Sequence, residues 1–313
     1  MPFTTLLISF FTFVELNCEN LFDCQHDSLK NDTEFLPASL RHWTKTLYWR
    51  KLDDISRSII SCGGEGRDWV IPDMVALCEV ENDSVLRDLT RRSLLRNANY
   101  DYVATHSDDM RGIDVALLYS PYSFKLLSSY SLRVECLRGM RPTRDILYVK
   151  GLVMGEDTLH TFVLHAPSRY GGEKATRDYR MQVARRLCFS VDSVRSVSPD
   201  AKIIVAGDFN DYSADVSLQY LSAHELKEIS ADAKGMNGAL GTYRYNGAWN
   251  SLDHILISPS LISQFHSCFI GDFPFAVEKD EKYGGIKPFR TYIGPRYHGG
   301  VSDHLPIIAR FEW

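Results

Sequence analysis

Eight side chains in this sequence have types and positions that suit phosphate chemistry: Asn17, Glu79, His165, Asp208, Asn210, Asp253, Asp303 and His304. Most sit at a boundary of an apolar run. Asn17 closes FTFVEL, Glu79 closes MVALC, His165 closes TFVL and Asp208 closes KIIVAG. Asp253-His254 and Asp303-His304 instead precede their apolar runs. Glu79 and Asp303 are hard oxygen donors suited to Mg²⁺ or Mn²⁺ and not to zinc. Asn17 and Asn210 can hold a water or a phosphoryl oxygen without adding charge. His165 and His304 can donate to such an oxygen or move a proton near neutral pH. Singly, each has a plainer reading: Gly207, Asn210 and Asp211 make turns, and Glu79 suits a helix start.

The elements that carry these groups turn the list into a site. The end of a strand running up and the start of one running down share an edge of a sheet. With the last strands antiparallel to the earlier ones, all the groups meet on one rim. The Ile203–Val205 run reads as a strand buried on both faces. Strands are also expected from Phe11, at the apolar runs 74–77 and 162–164 and over 111–120, with hairpins over 124–154. Helical spacing marks 43–60, 83–95 (Asn82 or Asp83 as N-cap), 179–191 and 216–226. WNSLDHILIS (249–258) and SDHLPIIARFEW (302–313) are read as the last two strands.

Bulk properties bound the partners. At 313 residues and 44% apolar, the chain has ample material for a core. A net charge of −5 argues against a lysine-driven nucleic-acid coater, though a bound cation could supply local positive charge to a nuclease. The seven cysteines show no CxxC pair or zinc spacing and read as reduced thiols. The apolar N-terminus lacks a preceding Lys or Arg and a cleavage site, so residues 1–10 are an extension or a signal remnant and the compartment stays open between cytoplasm and export. No segment reads as an integral membrane span, and nothing points to a protein partner.

In order, NxENLF (17–22), LCEVEN (77–82), RGIDVALLY, LHAPSR, GDFND, LDHILIS and SDHLP resemble the endonuclease/exonuclease/phosphatase superfamily of metal-dependent phosphodiesterases. The resemblance runs from about Phe11 to Trp313. It implies one α/β domain over 11–313, a four-layer sandwich of two packed mixed β-sheets flanked by helices. By the same resemblance Glu79 is the principal metal ligand, with Asn17 and Asp303 nearby. Asp208 orients or deprotonates the attacking water, Asn210 is a phosphate ligand, and His304, positioned by Asp253, contacts the scissile phosphate. His165 stands where pancreatic-type deoxyribonucleases and sphingomyelinases carry a second histidine, with Asp114 to orient it.

The implied activity is hydrolysis of a phosphodiester, foremost in a nucleic acid, with Mg²⁺ or Mn²⁺ as cofactor. The alternatives are a phosphomonoesterase or sphingomyelinase-like enzyme on a small or lipid phosphate, and a binding module without catalysis. GDFND and LDHIL count against the inositol-polyphosphate phosphatase branch. Arg111, Arg169, Arg177 and Asn250 are expected to bind substrate. The 272–300 loop interleaves basic and aromatic residues that could grip a phosphate backbone and stack a base.

Overall fold

A computed structural model describes residues 10–65 and 68–313. Apart from Phe10, the extension expected over 1–10 lies outside them. Two six-stranded mixed sheets form the centre. In chain order their strands are β1 (Phe10–Leu21), β2 (Met74–Val80), β3 (Asp101–Ala104), β4 (Asp114–Tyr119), β5 (Phe124–Leu132), β6 (Ile146–Val153), β7 (Asp157–His165), β8 (Lys202–Asp208), β9 (Lys227–Glu228), β10 (Asp253–Ile257), β11 (Phe265–Ile270) and β12 (Ile307–Glu312). The first sheet runs β11-β12-β1-β2-β4-β3 and the second β9-β10-β8-β7-β6-β5. The α-helices among the described residues are α1 (Lys45–Cys62), α2 (Asp83–Arg91), α3 (Glu173–Val197) and α4 (Val216–Ala223).

Burial explains the layering. Phe11, Phe13, Met74, Leu117, Ile204 and Phe311 belong to the core between the sheets. Their strand neighbours Val14, Leu16, Val75 and Leu77 face the other way, onto Leu52 and Ile55 of α1 and Leu86 of α2. Ile203 and Val205 likewise pack on Leu187 and Val191 of α3 and on Leu218 of α4. Strands apolar on both faces therefore need a helix outside and a sheet inside, which gives four layers.

Two pairings set the rim. β12 is antiparallel to β1, and β10 is antiparallel to β8, whereas β1–β2 and β7–β8 are parallel. Starts of late strands thus share an edge with ends of early ones. Several boundaries differ from expectation. β11 lies between the two strands read as the last pair; in its FHSCFI, His266 and Ser267 follow the opening Phe265 at a sheet edge, which hides its pattern. The strand read over 302–313 begins at Ile307, because Ser302–Pro306 forms the approach to the rim. The helix expected over 83–95 ends at Arg91 and a 3-10 turn follows at Leu94–Asn97; Asn82 is its N-cap, accepting from the Val85 amide. The loop at 272–300 contains two small hairpins, Val277–Lys279 with Ile286–Pro288 and Tyr292–Ile293 with Arg296–Tyr297. No helix among the described residues is long and apolar enough to cross a membrane.

Candidate active site

Backbone pairing places three chemistry-bearing side chains side by side. Asp208, the last residue of β8, pairs with His165 at the end of β7 and with Asp253 at the start of β10. Gly207 makes this possible: its φ is +144°, and a Cβ there would lie 1.9 Å from the Leu164 carbonyl oxygen. The facing sheet contributes Asn17 and Glu79 through bulges, where the β1–β2 register slips after Asn17 and the β2–β4 register slips after Cys78. Glu19, Asn20, Glu79 and Asn210 have positive φ, between +49° and +63°, so the strand ends turn sharply and re-aim their side chains.

These groups form one contact chain. Asn17 Nδ2 donates to Asp208 Oδ2 at 3.0 Å. The Asn210 amide N–H donates to Asp208 Oδ1 at 2.8 Å, and its Nδ2 lies 3.2 Å from Oδ2. His165 Nε2 lies 3.5 Å from Asp208 Oδ2 and 3.8 Å from Glu79 Oε1. Glu79 Oε2 accepts from the Asn20 amide at 2.7 Å. His304 Nδ1 pairs with Asp253 Oδ2 at 2.7 Å, and the Thr242 hydroxyl donates to the same oxygen at 2.5 Å. His304 Nε2 is 4.0 Å from Asp303 Oδ1, and Arg290 pairs with the other Asp303 oxygen.

Electrostatics separates the two histidines. Burial and the Arg144 and Arg111 charges hold His165 well below the usual histidine range, so it is neutral. Burial opposes charge on His304 too, but Asp253, by charge and hydrogen bond, holds its imidazole well above that range. Burial and the Asp253 charge push Asp208 up to about 7. Asp303 is lowered: burial opposes ionisation, but His304 and Arg290 outweigh it. A neutral imidazole, a charged one and a carboxylate near 7 are an acid–base set split by environment.

Glu79, Arg111, His165, Arg169, Asp208, Asn210, Asp303 and His304 all line one cavity of about 520 Å³. Asn17 and Asp253 are buried behind it, at 2% and 0% exposure. Other expected groups are engaged elsewhere or lie outside the cavity. Asp114 does not hold His165: its oxygens accept from Thr105 Oγ1 and the Ser107 amide, and His165 Nδ1 has no hydrogen-bond partner among the described residues. Arg177 pairs with Asp178 on α3, Asn250 pairs with Tyr243 in a hairpin, and neither lines the cavity. Asn210 spends its side-chain amide on Asp208 and the Ala166 carbonyl. No residue of 272–300 lines the cavity either. Lys287 and His298 pair with Glu278, Lys279 pairs with Glu281, and Arg290 turns to Asp303 and Glu19.

Sequence reasoning passed over several groups. Glu19 lies two residues past Asn17, accepts from the Thr291 amide at 2.7 Å and is pushed up to about 7 by burial and by Asp303. Its signal was the acid at N-x-E, read as part of a strand end. Lys51, buried in α1, donates to Thr291 Oγ1 and the Val301 carbonyl under the Asp303 approach. Arg144, also buried, braces the His165 and Ala166 carbonyls and pairs with Asp109 at 3.1 Å. Tyr243 packs on His304, ring centroids 5.0 Å apart.

The sequence matches the Endonuclease/Exonuclease/phosphatase family over residues 12–312. The chain belongs to that family. Its members are phosphoester hydrolases, so this chain is an enzyme acting on phosphate esters, and the family is generally dependent on divalent metal. Solved structures share the fold. A family protein from Bacteroides thetaiotaomicron is 15% identical with a TM-score of 0.60, covering 97% of each chain. A humanized D. rerio TDP2 is 16% identical with a TM-score of 0.58, covering 97% of this chain and 99% of that one. The mannosyl-6-phosphatase Bt3783 of B. thetaiotaomicron VPI-5482 is 16% identical with a TM-score of 0.60, covering 96% and 99%. A search of curated proteins finds no match.

Candidate donors for the family's cation are of two kinds. Glu79, Asp303 and the Asn17 carbonyl are oxygen donors of the type hard cations take. Asp208, Asp253 and His304 also bring one ligand atom each within 4.8 Å of one another. In that trio, however, His304 Nδ1 is already engaged by Asp253 and the ring is held in its charged form, which does not ligate. The oxygen set fits the cation better.

Proposed function

We propose that this chain, as one domain over 11–313, is a divalent-metal-dependent phosphodiester hydrolase, foremost a nuclease, working by in-line attack of water on phosphorus. The observation that carries the reading is the in-register row His165–Asp208–Asp253, closed by the His304–Asp253 pair. Glu79, Asp303 and Asn17 would hold Mg²⁺ or Mn²⁺, which when bound supplies charge neutralisation at the phosphoryl oxygens.

The remaining work belongs to the chain. Asp208, steadied by three donors from Asn17 and Asn210, takes the proton of the attacking water. Charged His304, held by Asp253, donates through Nε2 to a phosphoryl or leaving oxygen. Neutral His165 donates to a second oxygen. Arg111 and Arg169 receive the flanking phosphate. Arg169 lies 4.2 Å over the Tyr212 ring, and Tyr170 and Tyr245 stand 92% and 62% exposed beside it, a surface on which bases can stack. A second reading, a phosphomonoesterase, is favoured by the cavity volume of about 520 Å³, which suits a small molecule.

Plasmid DNA, a chromogenic phosphodiester and a phosphomonoester, each assayed with Mg²⁺ and with EDTA, separate the readings. Metal-dependent turnover of DNA and the diester is the expected result. Turnover of the monoester alone selects the second reading. Near-normal turnover by Asp208→Asn or His304→Ala would overturn the assignment of roles.

A further inference from the structure

A second cavity, of about 600 Å³, lies between the outer face of the second sheet and the C-terminal half of α3. Its size falls in the roughly 300–1,000 Å³ range of small-ligand sites. Strand alternation builds its floor. Tyr130 and Tyr148 pair across β5 and β6, with rings stacked at 6.0 Å and 9°. His160 extends the tier at 5.9 Å, its Nδ1 hydrogen-bonded to the Tyr148 hydroxyl at 2.7 Å. Phe189 of α3, 69% exposed, stands at the opposite wall.

The walls are net positive: three cations and two acids line the cavity, and Asp157 is neutralised by Lys202. Lys150, paired with His160 in the β6–β7 register, is half-buried, and its ammonium has no hydrogen bond or ion pair among the described residues. Arg186 spends Nε on the Arg133 carbonyl and Nη1 on Ser190, and has no acidic partner among the described residues. A half-buried ammonium beside an aromatic tier, with a second unneutralised cation at the wall, lacks its counter-charge.

We propose that this cavity binds a small planar aromatic anion, its ring laid on the Tyr148 tier and its acid group held by Lys150 and Arg186. The site is separate from the catalytic rim. His160 and His165 stand on one strand, ~17 Å apart at ~3.3 Å per residue, and an odd spacing sends them to opposite faces. Burial and Lys150 keep His160 neutral, so it adds a polar edge without competing for the anion.

The probe is 8-anilinonaphthalene-1-sulfonate, titrated into the full chain by fluorescence at pH 7.5. Saturable one-site binding is expected. Lys150→Glu should weaken it at least tenfold. Ser193→Trp, at an exposed α3 position on the mouth, should abolish it by filling the slot. The neutral analogue N-phenyl-1-naphthylamine should bind at least tenfold more weakly. Thermal melts and phosphoester turnover like those of the parent chain show that both variants are folded. Absence of saturable binding, unchanged binding in either folded variant, or equal affinity for the neutral probe would overturn the proposal.

Discussion

Asp253→Asn is the sharpest perturbation of the proposed chemistry, because it removes a charge and almost no volume. Asp253 is fully buried, and its Oδ2 receives both His304 Nδ1 and the Thr242 hydroxyl. An asparagine oxygen can keep both bonds, with its NH₂ placed where Oδ1 has no partner. What disappears is the ionic part of the His304 contact. A hydrogen bond to a charged group contributes about 1.5–3 kcal/mol. If that stabilises the charged imidazole in the transition state, a loss of ~2 kcal/mol lowers kcat/KM about 30-fold. The pH profile carries the finer test. His304 loses the charge that raised it, so the limb on the alkaline side moves to lower pH. Asp208 also loses the Asp253 charge that, after burial, raised it to about 7, so the limb on the acid side moves the same way. The whole bell therefore slides downward instead of narrowing. The assay is kcat/KM on a chromogenic diester from pH 5 to 9 with saturating Mg²⁺, beside a thermal melt. A loss under threefold with unmoved limbs, in a folded variant, would refute the reasoning.

Glu79→Gln should cost at least ~10²-fold in kcat/KM while leaving the melt in place, since it removes a carboxylate proposed to hold the cation. EDTA should abolish turnover, and Mg²⁺ or Mn²⁺ in excess should restore it; activity that survives exhaustive chelation would dismiss the metal role. Lys51→Met removes two buried charge-assisted hydrogen bonds, to Thr291 Oγ1 and the Val301 carbonyl, so urea unfolding should show a loss of ~2 kcal/mol. His160 is depressed to about 4 by burial and Lys150. Its stabilisation is full above the unfolded value of about 6.5 and is lost as pH falls toward 4. The difference in urea midpoint between pH 7 and pH 4.5 should shrink in His160→Phe.

The sequence made the rim legible because a strand's apolar run ends abruptly where its chemistry begins. That rule located Glu79, Asp208 and Asp303 without any knowledge of tertiary contacts, and strand direction predicted their convergence. What it could not reach were contacts decided by loops. Asp114 lies in an apolar run at the right height, yet Thr105 and Ser107 claim its oxygens. Arg290 belongs to a basic stretch that looks like a substrate grip, but it pairs with Asp303 and Glu19. Composition reveals a charge; its partner depends on how the hairpins fold back. β11 escaped notice for a related reason: an edge strand carries weak alternation.

The left-handed turns at Glu19, Asn20, Glu79 and Asn210 bear on how this enzyme can be engineered. Each non-glycine residue held there costs roughly 1–2 kcal/mol of conformational strain, less for asparagine. Glycine would relieve that strain at any of the four, and a screen for thermostability would favour it. At Glu79 and Asn210 the same change deletes a side chain of the proposed reaction centre. Directed evolution for robustness alone should therefore drift toward sturdier but inert proteins, unless turnover is selected alongside.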